Sequence, residues 1–129
     1  IKTVIIGNGV TEIAKEAFAY CNKLESVTIG ENVRTIGGKA FYYSSLKDVV
    51  LPASLKTVAT DIFDRCDSFK SLTVNSQEAL DTILGSLKTF MKKAKVLKVK
   101  EGLTVDEAKL GEVGAAKIGT ENGFVIYSR

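Results

Sequence analysis

The chain has 129 residues, enough for one domain that buries a core without a metal or disulfide staple. It contains no histidine, which excludes Ser-His-Asp catalysis, and with two cysteines it cannot assemble a Cys/His zinc site. A net charge of +3 is too small by itself to indicate nucleic-acid binding, and no apolar run approaches the roughly 20 residues of a membrane helix. We therefore expect no metal or other cofactor, no nucleic-acid partner and no membrane insertion.

The main signal before Asn75 is an internal repeat with a period of roughly 23 residues. Four units begin at Ile1, Leu24, Leu46 and Phe69 with the spacing L-x-x-L-x-L, whose last two apolar positions alternate as strand residues do. In the first three units a turn, further apolar positions and an Ala-Phe or Ile-Phe pair follow at matching offsets. One such unit cannot bury its own apolar residues, so the pattern predicts stacked units that share a core.

The spacing L-x-x-V-x-I-(G/P)-x-x-V-x-x-I-x-x-x-A-F-x-x-C resembles the BspA-like leucine-rich repeat of bacterial and protist surface proteins over residues 1 to about 74. The chain departs from the family pattern at three points. Only one unit, with Pro52, has the proline that often follows the strand. Ile62 replaces the usual Ala before Phe, and Ser44 stands at the position of the final Cys. The resemblance implies a non-enzymatic protein-binding or adhesion module of a secreted or cell-surface protein, with an unidentified protein or glycan partner. The alternative is an intracellular scaffold or regulatory repeat domain, because free cysteines suit a reducing compartment.

The predicted fold is an α/β, right-handed leucine-rich-repeat solenoid, with parallel strands on one face and short helical turns opposite. Phe18, Phe41 and Phe63 should stack as a column, each ring filling the space beneath its neighbour. The first residue is not Met and already belongs to a strand pattern, so we expect a trimmed piece of a longer chain. The predicted units cover residues 1–23, 24–45, 46–68 and 69–93, followed by a fifth strand at 94–99.

The repeat pattern breaks in the C-terminal third. Apolar residues at 3.6-residue spacing predict one amphipathic helix over 77–93. A Thr-x-x-Glu capping box at 104–107 predicts a short helix over 105–110, and the Asn-Gly pair at 122–123 predicts a hairpin turn. We expect residues 100–129 to form a cap that closes the open end of the solenoid, since a terminal unit must cover the last apolar layer.

The outward strand positions form the best candidate recognition surface, because solenoids use such rows as extended binding faces. No aromatic side chain lies in the predicted row, so an ordinary solvated sheet face remains an equal alternative. The candidate binding residues are Thr3, Ile5, Ser26, Thr28, Asp48, Val50, Ser71, Thr73 and Lys98, with Val96 in the same row.

Two charged clusters have both a functional and an ordinary interpretation. Six lysines form a candidate polyanion patch for glycans or acidic proteins, although a solvated helix face and sheet edge is the simpler explanation. The patch lacks the interleaved aromatics of a nucleic-acid binder. Asp61, Asp64 and Asp67 lack the turn and ligand set of a calcium loop, so we expect a solvated face. The lysines of the patch are Lys88, Lys92, Lys93, Lys95, Lys98 and Lys100.

The two cysteines lie at equivalent positions of different repeat units, and three tyrosines lie near the ends of units one and two. Cys21 and Cys66 are two units apart, which corresponds to about 9–10 Å between strands. A disulfide needs Cα atoms within roughly 7 Å, so we expect two buried free thiols.

Tyr20, Tyr42 and Tyr43 are either half-buried packing residues with satisfied hydroxyls or exposed anchors for a partner.

Overall fold

The computed structural model describes all of residues 1–129 and shows a mixed α/β repeat fold. Five strands start the successive units: β1 (Thr3–Ile5), β3 (Ser26–Thr28), β5 (Asp48–Leu51), β7 (Ser71–Val74) and β8 (Val96–Lys100). Three two-residue strands lie in the return segments, which connect one unit strand to the next: β2 (Glu12–Ile13), β4 (Thr35–Ile36) and β6 (Thr57–Val58). The remaining elements are α1 (Gln77–Leu84), α2 (Leu87–Phe90), α3 (Glu107–Glu112), β9 (Ala116–Glu121) and β10 (Phe124–Ser128).

The unit strands pair in parallel, and their register follows the repeat. Thr3 of β1 pairs with Ser26 of β3, one unit further along the chain. Asp48 pairs with Ser71, and Ser71 pairs with Val96, so β5, β7 and β8 form a second parallel ladder. The strands β2, β4 and β6 form a third parallel ladder in the return segments. Equivalent residues of successive units therefore lie side by side.

The core consists of the inward positions of these ladders. Val27, Val49, Leu72 and Leu97 alternate with exposed or partly exposed strand residues and belong to one cluster of 33 buried apolar residues. The expected phenylalanine column is present. The Phe41 ring stacks on Phe18 at 5.7 Å and on Phe63 at 6.2 Å between centroids.

The expected helical turns in the first three units are not found. Glu16 and Tyr20 have φ angles of 59° and 63°, which no helix accommodates. Their return segment instead donates backbone hydrogen bonds to the next unit, from Phe18 N–H to Ala40 C=O at 2.8 Å and from Tyr20 N–H to Tyr42 C=O at 2.7 Å. The segment is therefore a series of tight turns, such as the one closed by Ala17 N–H and Ala14 C=O at 3.1 Å, and the bonds to the next unit alternate with these turns.

The predicted continuous helix over 77–93 is also wrong, because it is split into α1 and α2. Ser76 caps α1, since its hydroxyl oxygen accepts a hydrogen bond from Ala79 N–H at 3.1 Å. Gly85 ends α1, and Ser86 has φ −144° and ψ 42°, which are outside the helical region. The apolar periodicity continues across this break because both helices bury the same side.

The C-terminal third has the predicted short helix and hairpin turn, but the residue that caps the helix and the partner of the hairpin differ from the expectation. The capping residue of α3 is Asp106, which accepts from Ala108 N–H at 3.2 Å, while Thr104 N–H donates to the Gln77 side chain. The predicted turn at Asn122 and Gly123 joins β9 to β10, and β10 pairs antiparallel with β8. The hairpin thus extends the sheet of β5, β7 and β8.

The two cysteines are free, but only one is buried. Cys66 is 2% exposed, whereas Cys21 is partly exposed because unit one has a neighbouring unit on one side only. The expectation of two buried thiols is therefore wrong for Cys21. None of the helices is both long enough and apolar enough to cross a membrane.

Candidate functional site

The outward strand residues form two rows on the sheet surface. In the β5–β7–β8 ladder, Val50, Thr73 and Lys98 lie side by side, as do Asp48, Ser71 and Val96. In the β1–β3 ladder, Thr3 pairs with Ser26 and Ile5 with Thr28. None of these side chains is buried. The nine candidate residues therefore share the outward side of their strands but belong to two separate ladders.

The hairpin adds apolar side chains to the second row. Val125 and Tyr127 of β10 lie opposite Val99 and Leu97, with Tyr127 in the core. Because strand side chains alternate, Phe124 and Ile126 point to the other face, beside Lys100 and Lys98. The row predicted from the repeat lacked an aromatic residue, whereas the row in the structure has Phe124.

These side chains surround a groove of about 330 Å³ on the sheet. Val50 is 53% exposed on one wall, and Phe124 and Ile126 lie on the other. Lys98 lies between them, and no carboxylate pairs with it, because the two ion pairs of the molecule are Lys47–Glu25 and Lys56–Glu78. We call this site the sheet-face groove, and its lining residues are Val50, Thr73, Lys98, Glu121, Asn122, Phe124 and Ile126.

The groove combines apolar surface with one cation, Lys98, and one carboxylate, Glu121. Apolar and aromatic side chains supply most of the energy at protein interfaces, and an unpaired ammonium supplies orientation. The neighbouring row is more polar, since Ser71 donates a hydrogen bond to the Asp48 carboxylate at 2.6 Å. The arrangement suits a partner segment whose apolar side chains are flanked by polar or charged groups that complement Lys98 and Glu121.

Phe124 and Ile126 were not predicted as site residues, because residues 100–129 were expected to form only an end cap. Their signal was present in the alternation of Phe124, Val125, Ile126 and Tyr127, which is typical of a strand with two different faces. The pairing of this strand with β8 is a contact between distant parts of the chain, and no local pattern specifies it.

The six lysines of the candidate patch are distributed over several surfaces. Lys98 lies in the sheet-face groove, and Lys100 lies near Val50 and Pro52 in a separate depression. Lys88 lies beside Lys109 and Glu112, and Lys95 is exposed directly before β8. Lys92 and Lys93 line a cleft together with Lys39 and Arg65.

The tyrosines form an exposed cluster. Tyr20 and Tyr43 are 65% and 44% exposed, and Tyr42 is half-buried. Their rings meet edge to face with centroids 5.3 to 6.5 Å apart, and none of the three hydroxyls makes a hydrogen bond within the chain. Of the two interpretations left open by the sequence, the structure shows exposed rings for Tyr20 and Tyr43.

The three aspartates of the return segment do not form a metal site, since no group of three or more potential ligands lies close together. The Asp61 carboxylate accepts a hydrogen bond from the backbone N–H of Lys39 at 3.0 Å and so connects units two and three. Asp64 and Asp67 line the same cleft as Lys92 and Lys93.

Parallel ladders in repeat register, an apolar core shared between units and a stacked phenylalanine column define a leucine-rich repeat protein. The model of the BspA-type leucine-rich repeat region matches residues 1–101 in six copies. The chain therefore belongs to this family, which confirms the resemblance and extends it beyond residue 74.

One solved structure similar to this chain is the crystal structure of a leucine-rich cell surface protein from Faecalibacterium prausnitzii A2-165. The two are 33% identical over 59% of this chain, with a TM-score of 0.58. The match covers 20% of that protein, so this chain spans about a fifth of its length. None of the curated proteins matches the sequence.

Proposed function

We propose that this chain is a non-enzymatic protein-binding module of a secreted or cell-surface protein and that it binds its partner through the sheet-face groove. The family and the similar cell-surface protein support the class of function. The observation that carries the proposal is the convergence of Val50, Phe124 and Ile126 around the unpaired Lys98. Solvent-facing aromatic and aliphatic side chains are typical of interface centres, and a charge beside them contributes to orientation.

The framework that we propose for this function is a right-handed solenoid over residues 1–99, closed by residues 100–129. The parallel ladders and their shared core support the solenoid. Two features support the cap: Leu110 of α3 and Tyr127 of β10 are buried against the last unit. In this framework the hairpin has a second role, because it both covers the core and supplies Phe124 to the binding face.

Three ionisable groups have shifted pKa values, and none of them lines the sheet-face groove. Burial raises the pKa of the Cys66 thiol and of the Tyr127 hydroxyl, and a hydrogen bond from Lys56 lowers the pKa of Glu78. Each of these groups belongs to a different contact, with Ser44, Glu107 and Lys56 as partners.

A binding panel tests the proposal. The protein is passed over immobilised extracellular-matrix proteins and host-cell glycans, and the affinity for each protein that binds is measured. Phe124→Ser should weaken that affinity by about tenfold or more, since an aromatic interface anchor contributes about 2 kcal/mol or more. Tyr20→Ser is the matched control, because it removes an exposed aromatic ring outside the groove.

The panel also defines the contrary results. Binding to glycans without binding to any protein contradicts the proposed class of partner. Equal losses in Phe124→Ser and Tyr20→Ser contradict the proposed surface. Circular dichroism and the melting temperature of each variant establish that a loss of affinity is not a loss of folding.

A further inference from the structure

A second cleft, of about 430 Å³, lies between the return segment of unit three and α2, where the strands begin. It shares no residue with the sheet-face groove. Four cations on its rim come from three separate parts of the chain: Lys39 from unit two, Arg65 from unit three, and Lys92 and Lys93 from the turn after α2. We call it the basic cleft, and we define it by these four residues and its floor of Phe63, Phe69 and Phe90.

The four cations have no carboxylate partner, because both ion pairs of the molecule lie elsewhere. Two of them are held in place by aromatic rings. The Lys39 ammonium lies 5.1 Å from the Tyr42 ring centre, and the Arg65 guanidinium lies 5.5 Å from that of Tyr43. Such contacts orient a cation without neutralising it, so the charges remain available to a ligand.

The backbone conformation at these two cations is a feature of the repeat. Lys39 and Arg65 have φ angles of 55° and 62°, in the left-handed region that ordinary side chains seldom occupy. The conformation recurs along the repeat, since Glu16 and Lys39 occupy the same position in successive units, and so do Tyr20 and Tyr43.

The floor of the basic cleft is apolar. Phe63 and Phe69 stack with centroids 4.3 Å apart, and both are nearly buried, as is Phe90. Burial raises the pKa of the Cys66 thiol, so this group is neutral at physiological pH and adds no charge to the floor. A ligand in this cleft meets cations at the rim and, below them, the exposed edges of these rings and the half-buried Tyr42 ring.

Two carboxylates in the lining, Asp64 and Asp67, narrow the class of ligand. These carboxylates repel the anions of a sulfated glycan and of an acidic peptide alike, so they favour the ligand that also offers them hydrogen-bond donors. An acidic peptide presents carboxylates for the four cations and backbone N–H donors for the two aspartates. A peptide also supplies an aromatic or aliphatic side chain for the phenylalanine floor.

We propose that the basic cleft is a second binding site, which takes an acidic peptide segment carrying an aromatic or aliphatic side chain. The site is independent of the sheet-face groove and adds a separate contact, at the lateral edge of the repeats. The chain would then hold one partner at two places or two partners at once.

Three fluorescent polymers test the class of ligand by polarisation: a random copolymer of glutamate and tyrosine, polyglutamate, and heparin. The copolymer should bind the wild-type protein most tightly, because only it satisfies both the rim and the floor. Tighter binding of heparin would overturn the proposal in favour of a glycan site. Equal binding of the copolymer and polyglutamate, or no binding of the copolymer, would also overturn it.

Matched double variants test the location. The variant carrying Lys92→Gln and Lys93→Gln should bind the copolymer at least about tenfold more weakly, since two charge-assisted contacts are lost. The variant carrying Lys109→Gln and Lys117→Gln removes the same charge from exposed positions outside the cleft and should lose little. Equal losses would show a non-specific attraction and contradict the site.

A third variant separates the two proposals. Phe124→Ser lies in the sheet-face groove and should leave copolymer binding unchanged. Loss of copolymer binding in this variant would place the acidic ligand on the sheet and not in the basic cleft. Failure of the matrix-protein panel, in contrast, would leave the copolymer result unaffected.

Discussion

Phe41 is the central residue of the phenylalanine column. Its side chain is fully buried between the rings of Phe18 and Phe63, so its removal leaves a cavity between three units. Phe41→Ala should lower the free energy of unfolding by about 3–5 kcal/mol. Urea denaturation measures this loss.

Phe18→Ala is the control for this prediction. Phe18 is only partly buried and has one stacking neighbour in the column, so its truncation should cost less than that of Phe41. An unchanged melting temperature in Phe41→Ala would contradict the stacking of the column.

The two cysteines should differ in reactivity because only the thiolate reacts. Burial raises the pKa of Cys66 above its ordinary value of 9.0, against an opposing hydrogen bond with Ser44. Cys21 is partly exposed, so iodoacetamide should modify it first in the folded protein. Mass spectrometry of the modified peptides gives the order, and faster modification of Cys66 would contradict its burial.

The raised pKa of Cys66 makes the free energy of unfolding decrease at alkaline pH. The folded state holds the Cys66 proton more tightly than the unfolded state, so its contribution is fully present below the unfolded pKa. This contribution is lost as the pH rises through the folded pKa. Tyr127, whose pKa burial also raises, acts in the same direction at higher pH. The free energy of unfolding should therefore fall above about pH 9, and Cys66→Ala should reduce the first part of that fall.

At the scale of elements, the turn after each unit strand determines how closely two units approach. A Cβ atom on Gly30 would lie 2.6 Å from the carbonyl oxygen of Gly7, which is closer than such atoms can come. Gly30→Ala should therefore separate units one and two and cost about 1–3 kcal/mol. Thermal unfolding of the variant measures the loss.

Gly7→Ala is a matched control in the same turn column. Nothing lies within 4 Å of a Cβ atom on Gly7, so this change should be close to neutral. If both alanine variants unfold at the temperature of the wild type, the contact between these turns is not as close as described.

The elements show where sequence reasoning succeeds and where it fails. The positions of the unit strands follow from apolar alternation, because alternation directly encodes which side of a strand is buried. The return segments were expected to be helical, but they bond to the next unit, as Phe41 N–H does to Ile62 C=O at 3.2 Å. Ser86 likewise interrupts a helix whose apolar periodicity continues beyond it. Local patterns do not report hydrogen bonds between units.

The candidate site shows the same limit. Val50, Thr73 and Lys98 were identified from the repeat, since their columns are fixed by its period. Phe124 and Ile126 were missed because they join the site through antiparallel pairing with β8 and not through the repeat. Lys92 and Lys93 of the basic cleft were part of the predicted lysine patch, but Lys39 and Arg65 were missed, since only the packing of three separate segments brings the four cations together.

At the scale of the whole molecule, the structure separates two chemically different surfaces. The sheet-face groove is mainly apolar with one ammonium and one carboxylate, and the basic cleft has four cations and two carboxylates over an aromatic floor. A net charge of +3 indicated neither surface, because charge distribution and not its total determines what a protein attracts.

The central claim is that the sheet-face groove binds the protein partner. Chemical-shift perturbation of the ¹⁵N-labelled chain, titrated with a matrix protein that binds in the panel, tests this claim residue by residue. We expect the largest shifts at Val50, Thr73, Lys98, Phe124 and Ile126. Shifts confined to the return segments, with these five residues unchanged, would contradict it.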